Sequence, residues 1–393
     1  MNLKGTRDQF LECMQKVSPA AQSGSITPIL SNVLLKAEVS SVDIIATDQE
    51  TQMKAPCQVK ANKKFNATVS AKKFQDILRR LEADGEVSFD YQEGKGKDSR
   101  AEINISCGKT RYKLNTIDAS EFPRLGEKAG LKPFLKIPAA VLLDALKRVS
   151  YSSAINSHRM NLNGVLLESS VKGLRVVATD GHRMAVQDLP SENSPGEVQL
   201  ILPRKSVNEL IRNLPGEGDS EIEIKSSDRV ARFTASSFEL TSTLITENFP
   251  DYKSVIPQNN DKKVTVVRAE LLAGLQRVSA VSSGDRGITV IVNFDKGTAD
   301  LECINRDNET ANDKISAKYE GEKIEIGFNT EFLTDMLSVV EEDGFDIKIL
   351  DPSSSVLFEP GETKDPDEKP GGKKDAGGKK KPAFMYVVMP VRL

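Results

Sequence analysis

The sequence predicts an α+β protein made of three repeated domains, each with two helices packed on antiparallel sheets. Three observations carry that expectation. One apolar segment returns with a period of about 130 residues, a second amphipathic segment follows each copy of it, and elsewhere apolar and polar residues alternate. Solenoid repeats run to roughly 20–50 residues, so each copy here is long enough to be a domain.

The first helix of the copies is Phe10-Leu11-Glu12-Cys13-Met14-Gln15-Lys16-Val17-Ser18, echoed by Leu142 to Ser150 and by Leu271 to Ser279. Asn32-Val33-Leu34-Leu35 then matches Gly164-Val165-Leu166-Leu167, and Ala46-Thr47-Asp48-Gln49 matches Ala178-Thr179-Asp180-Gly181. The second helix shows apolar residues at i, i+3, i+4 and i+7: Phe74, Ile77, Leu78, Leu81; Val207, Leu210, Ile211, Leu214; Leu333, Met336, Leu337, Val340. Turn clusters follow at Asp84-Gly85, Gly216-Glu217-Gly218 and Asp343-Gly344. Beyond them Glu86–Tyr91, Glu221–Lys225 and Asp346–Leu350 alternate as half-exposed strands do. Phe122-Pro123, Phe249-Pro250 and Met389-Pro390 close the copies. Each copy therefore reads helix, strands, helix, strands. With linkers at Gly126–Lys132 and Gln258–Lys262, the domains span 1–125, 133–257 and 263–393. At about 359–383 the last one carries a Gly, Pro, Lys and Asp/Glu insertion, too polar to offset its ordering entropy and expected to be a disordered loop in a hairpin.

Composition excludes several functions. Among 393 residues, 54 Lys+Arg oppose 57 Asp+Glu, a net charge of −3, and hydrophobic residues make up 38%. This balance describes a soluble globular chain and argues against a surface that clings to nucleic acid everywhere, without excluding a local basic face. The first residues lack a signal peptide's apolar core, and no run approaches the ~18 apolar residues of a membrane span, so the expected location is the cytoplasm. Cys13, Cys57, Cys107 and Cys303 stand far apart and read as reduced thiols. Two histidines, His158 and His182, leave no His-rich metal centre, and no metal or cofactor is expected.

Positive charge recurs in phase with the repeat. Lys16, Arg148 and Arg277 precede the Val-Ser of each first helix; Lys72, Lys73, Arg79 and Arg80 flank the second stripe of copy one, and Arg204, Lys205 and Arg212 that of copy two. Copy three dissents, with Glu331, Asp335, Glu341 and Glu342. Thr179-Asp180-Gly181-His182-Arg183 is the one dense polar cluster and invites a general-base reading. Copy one has Thr47-Asp48-Gln49-Glu50 there instead, so the segment reads as a turn and no catalytic residue is assigned. Gly372–Lys380 fails as a phosphate loop because Gly378 stands where the Lys belongs.

Ala178-Thr179-Asp180-Gly181-His182-Arg183-Met184-Ala185, Leu202-Pro203-Arg204-Lys205, Phe249-Pro250-Asp251-Tyr252 and Tyr386-Val387-Val388-Met389-Pro390-Val391-Arg392-Leu393 resemble the signature segments of the bacterial beta sliding clamps, the processivity subunits of DNA polymerase III. The resemblance implies the DNA clamp fold and no catalysis. It implies a head-to-tail homodimer closed into a ring, with helices lining a hole that encircles duplex DNA nonspecifically. It further implies a pocket for short clamp-binding peptides from the polymerase III catalytic subunit, the clamp loader, and other polymerases and repair proteins. The pocket would comprise Leu162, Thr179, Gly181, His182, Arg183, Met184, Pro250, Val255, Val387, Val388, Met389, Pro390, Val391 and Arg392. The basic residues above, with Asn156, would face DNA, while Tyr112 and Val281 would lie at the dimer interface. The chain departs from the family at Gly24 and Asn156, where Arg and Gln are frequent DNA contacts, at Ser254, where a basic residue is usual, and at Met160 and Asn161, where aromatics are common. Two rivals remain testable: an enzyme using His182 and Asp180, and an open-surface DNA binder.

Overall fold

The computed structural model describes all residues except 23, 40, 93–100, 128, 191–195, 283–287 and 362–382. Nearly all of the expected insertion, and the Gly372–Lys380 stretch, lie outside the described residues.

Copy one comprises β1 (Asn2–Thr6), α1 (Arg7–Val17), β2 (Asn32–Ala37), β3 (Val42–Thr47), β4 (Thr51–Cys57), β5 (Lys60–Ala61), β6 (Phe65–Ser70), α2 (Ala71–Arg80), β7 (Glu86–Gln92), β8 (Glu102–Cys107) and β9 (Thr110–Asn115). Copy two repeats the order with β10 (Lys132–Pro138), α3 (Ala139–Ser150), β11 (Gly164–Ser170), β12 (Gly173–Thr179), β13 (Arg183–Leu189), β14 (Val198–Pro203), α4 (Arg204–Asn213), β15 (Glu221–Ser226), β16 (Val230–Thr234) and β17 (Glu239–Thr243). Copy three has β18 (Lys262–Val267), α5 (Arg268–Ser279), β19 (Thr289–Asp295), β20 (Thr298–Ile304), β21 (Thr310–Lys318), β22 (Ile324–Asn329), α6 (Thr330–Val339), β23 (Gly344–Ile349), β24 (Val356–Pro360) and β25 (Phe384–Val388).

The expected order is thus one strand short, because every copy opens on a strand. β1 escapes detection because only Leu3 of its five residues is buried, and β10 because prolines sit at 133 and 138. Both are held by pairing rather than by pattern, Leu3 opposite Phe89 and Leu135 opposite Ile224. Lys132 and Lys262, read as linker ends, are the first residues of strands.

The helices follow from their stripes. Thr6 caps α1 in a reciprocal box with Gln9, satisfying amides that the first turn leaves unpaired. The α1 stripe Phe10, Cys13, Met14 and Val17 is buried, with the Phe10 ring 6.3 Å from Phe74 of α2 and 4.7 Å from Phe89. The stripe of α2 buries Phe74, Ile77 and Leu78 and leaves Lys72, Lys73, Arg79 and Arg80 exposed. Each such apolar side chain contributes roughly 1.5–3 kcal/mol on burial.

Two compact units emerge, residues 1–143 with 205–244, and residues 144–204 with 245–393. The first contains a five-stranded sheet, β5-β1-β7-β8-β9, and an eight-stranded sheet, β10-β15-β16-β17-β4-β3-β2-β6. The second contains a twelve-stranded sheet, β14-β11-β12-β13-β25-β24-β23-β18-β21-β20-β19-β22. The units do not follow the repeat because neighbouring copies share sheets. The last strand of copy two pairs with β4 of copy one, and the last strand of copy three with β13 of copy two. Both seams use the same register, Leu240 opposite Met53 and Tyr386 opposite Ala185.

Candidate functional site

The β12–β13 turn is built as its sequence suggests. Thr179 Oγ1 accepts from the Gly181 amide at 3.1 Å, and Asp180 Oδ1 accepts from the amides of His182 and Arg183 at 2.9 and 3.0 Å. Gly181 adopts φ +94°, a region where side chains are disfavoured. Copy one repeats the turn, with Thr47 accepting from Gln49 and Asp48 from Glu50 and Thr51. The other oxygen of Asp180 takes Arg183 Nε at 3.0 Å. Asp180 is therefore committed to the turn and does not orient His182, which is exposed. The arrangement lacks a general-base pair.

Arg183 leaves this turn inward. Its guanidinium donates to Asp335 Oδ2 at 2.7 Å and to the Tyr151 carbonyl at 2.9 Å, and it lies 4.4 Å over the Phe332 ring. Burial disfavours the charge, yet the surrounding groups, Asp335 and Asp180 among them, raise its pKa above the ordinary value.

Beside the turn the sheet presents an apolar row. Ile201, Leu166, Val177 and Val186 stand opposite one another on β14, β11, β12 and β13, and they cluster with Met184, Tyr252, Leu357 and Val387. Three members of this cluster, Met184, Tyr252 and Val387, line a cleft of about 210 Å³. Leu162, Thr179, Gly181, His182, Arg183 and Met184 line one side, Pro250, Asp251, Tyr252 and Val255 another, with Ser355, Val387, Met389 and Arg159 completing it. Val255 and Met389, 47% and 46% exposed, leave apolar surface open at the cleft.

Ten of the pocket residues inferred from the resemblance line this cleft; Val388, Pro390, Val391 and Arg392 do not. Strand alternation explains Val388, which is fully buried on the face opposite Val387. Val391 is drawn away by its amide, which donates to the Gly327 carbonyl at 2.8 Å. Arg159, Asp251, Tyr252 and Ser355 were missed. Asp251 and Tyr252 lie inside the Phe-Pro-Asp-Tyr segment and could have been found there, whereas Ser355 comes from the β23–β24 turn, which no sequence signal links to the cleft.

The basic residues are less free than their spacing suggests. Lys16 pairs with Glu12 at 2.8 Å, Arg148 with Asp144 at 2.8 Å and Glu342 at 2.6 Å, and Arg277 with Asp313 at 2.5 Å. Lys205 pairs with Asp48, Arg212 with Glu209, and Arg79 approaches Asp76 at 4.0 Å. Arg204 is half-buried, donating to the Ser153 carbonyl and hydroxyl, and burial lowers its pKa. Lys72, Lys73 and Arg80 are the exposed members of the set for which the structure records no ion pair among the described residues. Asn156 is exposed at φ +53°, and Gly24 sits at φ +73°. Tyr112 is half-buried on edge strand β9, and Val281 lies in a turn whose carbonyl accepts from Asn305 at 3.1 Å. Among the described residues no cluster could hold a metal ion, and no helix is long and apolar enough to cross a membrane.

Comparison with known proteins agrees across the chain. Residues 1–126, 136–251 and 253–368 match the N-terminal, central and C-terminal domains of the DNA polymerase III beta subunit. The beta sliding clamp of Proteus mirabilis is 32% identical over 98% of both chains. Crystal structures of the DNA polymerase III subunit beta from Pseudomonas aeruginosa and of a sliding clamp from Bartonella birtlesii bound to griselimycin are each 30% identical, with TM-scores of 0.87 and full coverage of both chains. The chain therefore belongs to the bacterial beta sliding clamps, the beta subunits of DNA polymerase III, which are processivity factors without catalytic activity.

Proposed function

We propose that this clamp acts in the cytoplasm as a head-to-tail dimer closed around duplex DNA, and that the cleft beside the β12–β13 turn docks short peptides of the replicative polymerase and other partners. The three domains are those of residues 1–125, 133–257 and 263–393. The observation that carries the closure is the shared register of the two seams. β9 ends its sheet, and β21 leaves most of one edge unpaired; these are the strands equivalent to β17 or β25 and to β4 or β13. Exposed edges invite pairing with another chain. Applying the seam register to them sets Tyr112 of one chain opposite Ala311 of its partner. Val281 lies in the turn beside β21.

An apolar floor with polar groups at the rim suits a peptide that anchors two or three apolar side chains, and two Met residues adapt to different sequences. Chemistry is not required of His182. DNA retention then comes from topology: contacts to phosphate hold without reading bases, and a tethered polymerase gains effective concentration at the primer end. Loading onto nicked circular and linear DNA tests the ring. The protein should persist on circles at salt concentrations that release an open binder and should leave linear DNA through its ends; equal retention on both would count against closure.

A further inference from the structure

We propose that Glu168 is a positioning residue for the groove: through a row of polar side chains across the sheet, it fixes the Tyr252 wall against which a docked peptide packs. The inference rests on the peptide-groove reading above.

Two residues along from the apolar row Ile201, Leu166, Val177 and Val186, the same strands carry a polar one. Gln199, Glu168, Arg175 and Asp188 stand opposite one another across β14, β11, β12 and β13. With a side-chain period of two, both rows share one face. Arg175 locks onto Asp188 through two hydrogen bonds of 2.5 and 2.7 Å. Glu168 accepts from Gln199 at 2.8 Å, from Lys253 at 3.0 Å and from the Tyr252 hydroxyl. Tyr252 is 4% exposed, with its ring in the apolar cluster and edge-on to Phe249 at 6.1 Å. Its ring thus reads the apolar row and its hydroxyl the polar one, which fixes both ends of the side chain.

This matters because Tyr252 opens the short 3₁₀ turn Tyr252–Val255, whose N-cap residue Asp251 makes no side-chain capping bond. Pro250, Asp251, Tyr252 and Val255 make up the wall. The bond to Glu168, with that of the adjacent Lys253, ties this turn to the sheet. Without it a buried hydroxyl loses a charged acceptor and the wall loses its register over the floor.

Calorimetric titration of the full chain with griselimycin, the ligand of the related Bartonella clamp, tests this with four variants. Glu168→Ala and Tyr252→Phe should each bind about 3–10-fold more weakly, and their double variant no more weakly than Glu168→Ala alone, since the Tyr252 bond is already lost there. Glu168→Gln keeps an acceptor for Tyr252 and should restore near-normal affinity. Met389→Asp, which charges the groove itself, should weaken binding whatever Glu168 does. Normal affinity in Tyr252→Phe or in Glu168→Ala, with Met389→Asp weakened, overturns the proposal alone. Normal affinity in Met389→Asp overturns the groove reading and the proposal with it.

Discussion

Glu217 shows how much a single side chain can hold in this fold. In the sequence it is only part of a Gly-rich turn, yet its carboxylate is 7% exposed and accepts from the Ser236 amide at 2.9 Å, the Ser237 amide at 3.1 Å and both serine hydroxyls. Burial pushes its pKa up, but the serine hydrogen bonds outweigh that and lower it overall. A depressed folded pKa means the stabilisation is complete above the ordinary carboxylate range and is lost as pH falls through the folded value. Glu217→Gln should therefore lower stability by about 2 kcal/mol at pH 7, and the gap to wild type should narrow on acidification. Chemical denaturation at pH 7 and pH 4 checks this; a gap that widens in acid contradicts the assignment. The sequence could not supply this role, because Ser236 and Ser237 meet Glu217 only through tertiary folding.

At the scale of elements, the helices and the Thr-Asp turn were legible because their determinants are local: an apolar stripe, a cap, and a short oxygen acceptor two or three residues before the amides it serves. The acidic character of α6 was visible but had no reason until the seam was seen. Asp335 on the helix and Glu342 just past it receive Arg183 and Arg148 of copy two. Two of the four dissenting charges of copy three, Asp335 and Glu342, are thus partners of copy two's basic residues. Arg183→Ala would leave acidic neighbours without their cation and is expected to cost about 3 kcal/mol. Arg183→Lys should recover little, since an ammonium cannot stack on Phe332 while serving three acceptors. Thermal unfolding checks both, and full recovery by Lys would show that charge alone matters. Facing is harder to read than existence: a hairpin around the insertion implies a strand where β25 lies, but its alternation, which turns Val387 to the cleft and Val388 away, depends on pairing with β13.

At the scale of the whole molecule, threefold repetition was legible and the way copies join was not, because strand pairing between distant segments leaves no periodic trace. The internal ion pairs also revise what the basic residues contribute. Lys72→Ala, Lys73→Ala and Arg80→Ala together should reduce the salt dependence of DNA binding by a slope of about 2–3, while Lys16→Ala changes it little, its charge being matched by Glu12. Binding measured on a short duplex across a salt series decides it, and equal slopes would place DNA elsewhere. Ring closure has its own test: with Tyr112→Cys and Ala311→Cys in one chain, mild oxidation should yield a covalent species of twice the 43.0 kDa chain mass, and cysteines displaced by one residue should not. A further consequence follows from the seams. Copy two gives β17 to its predecessor's sheet and takes β25 into its own. Cutting residues 133–257 out as a fragment would sever hydrogen-bond ladders on both sides and free two sticky edges, so the smallest piece expected to stay soluble is larger than one repeat.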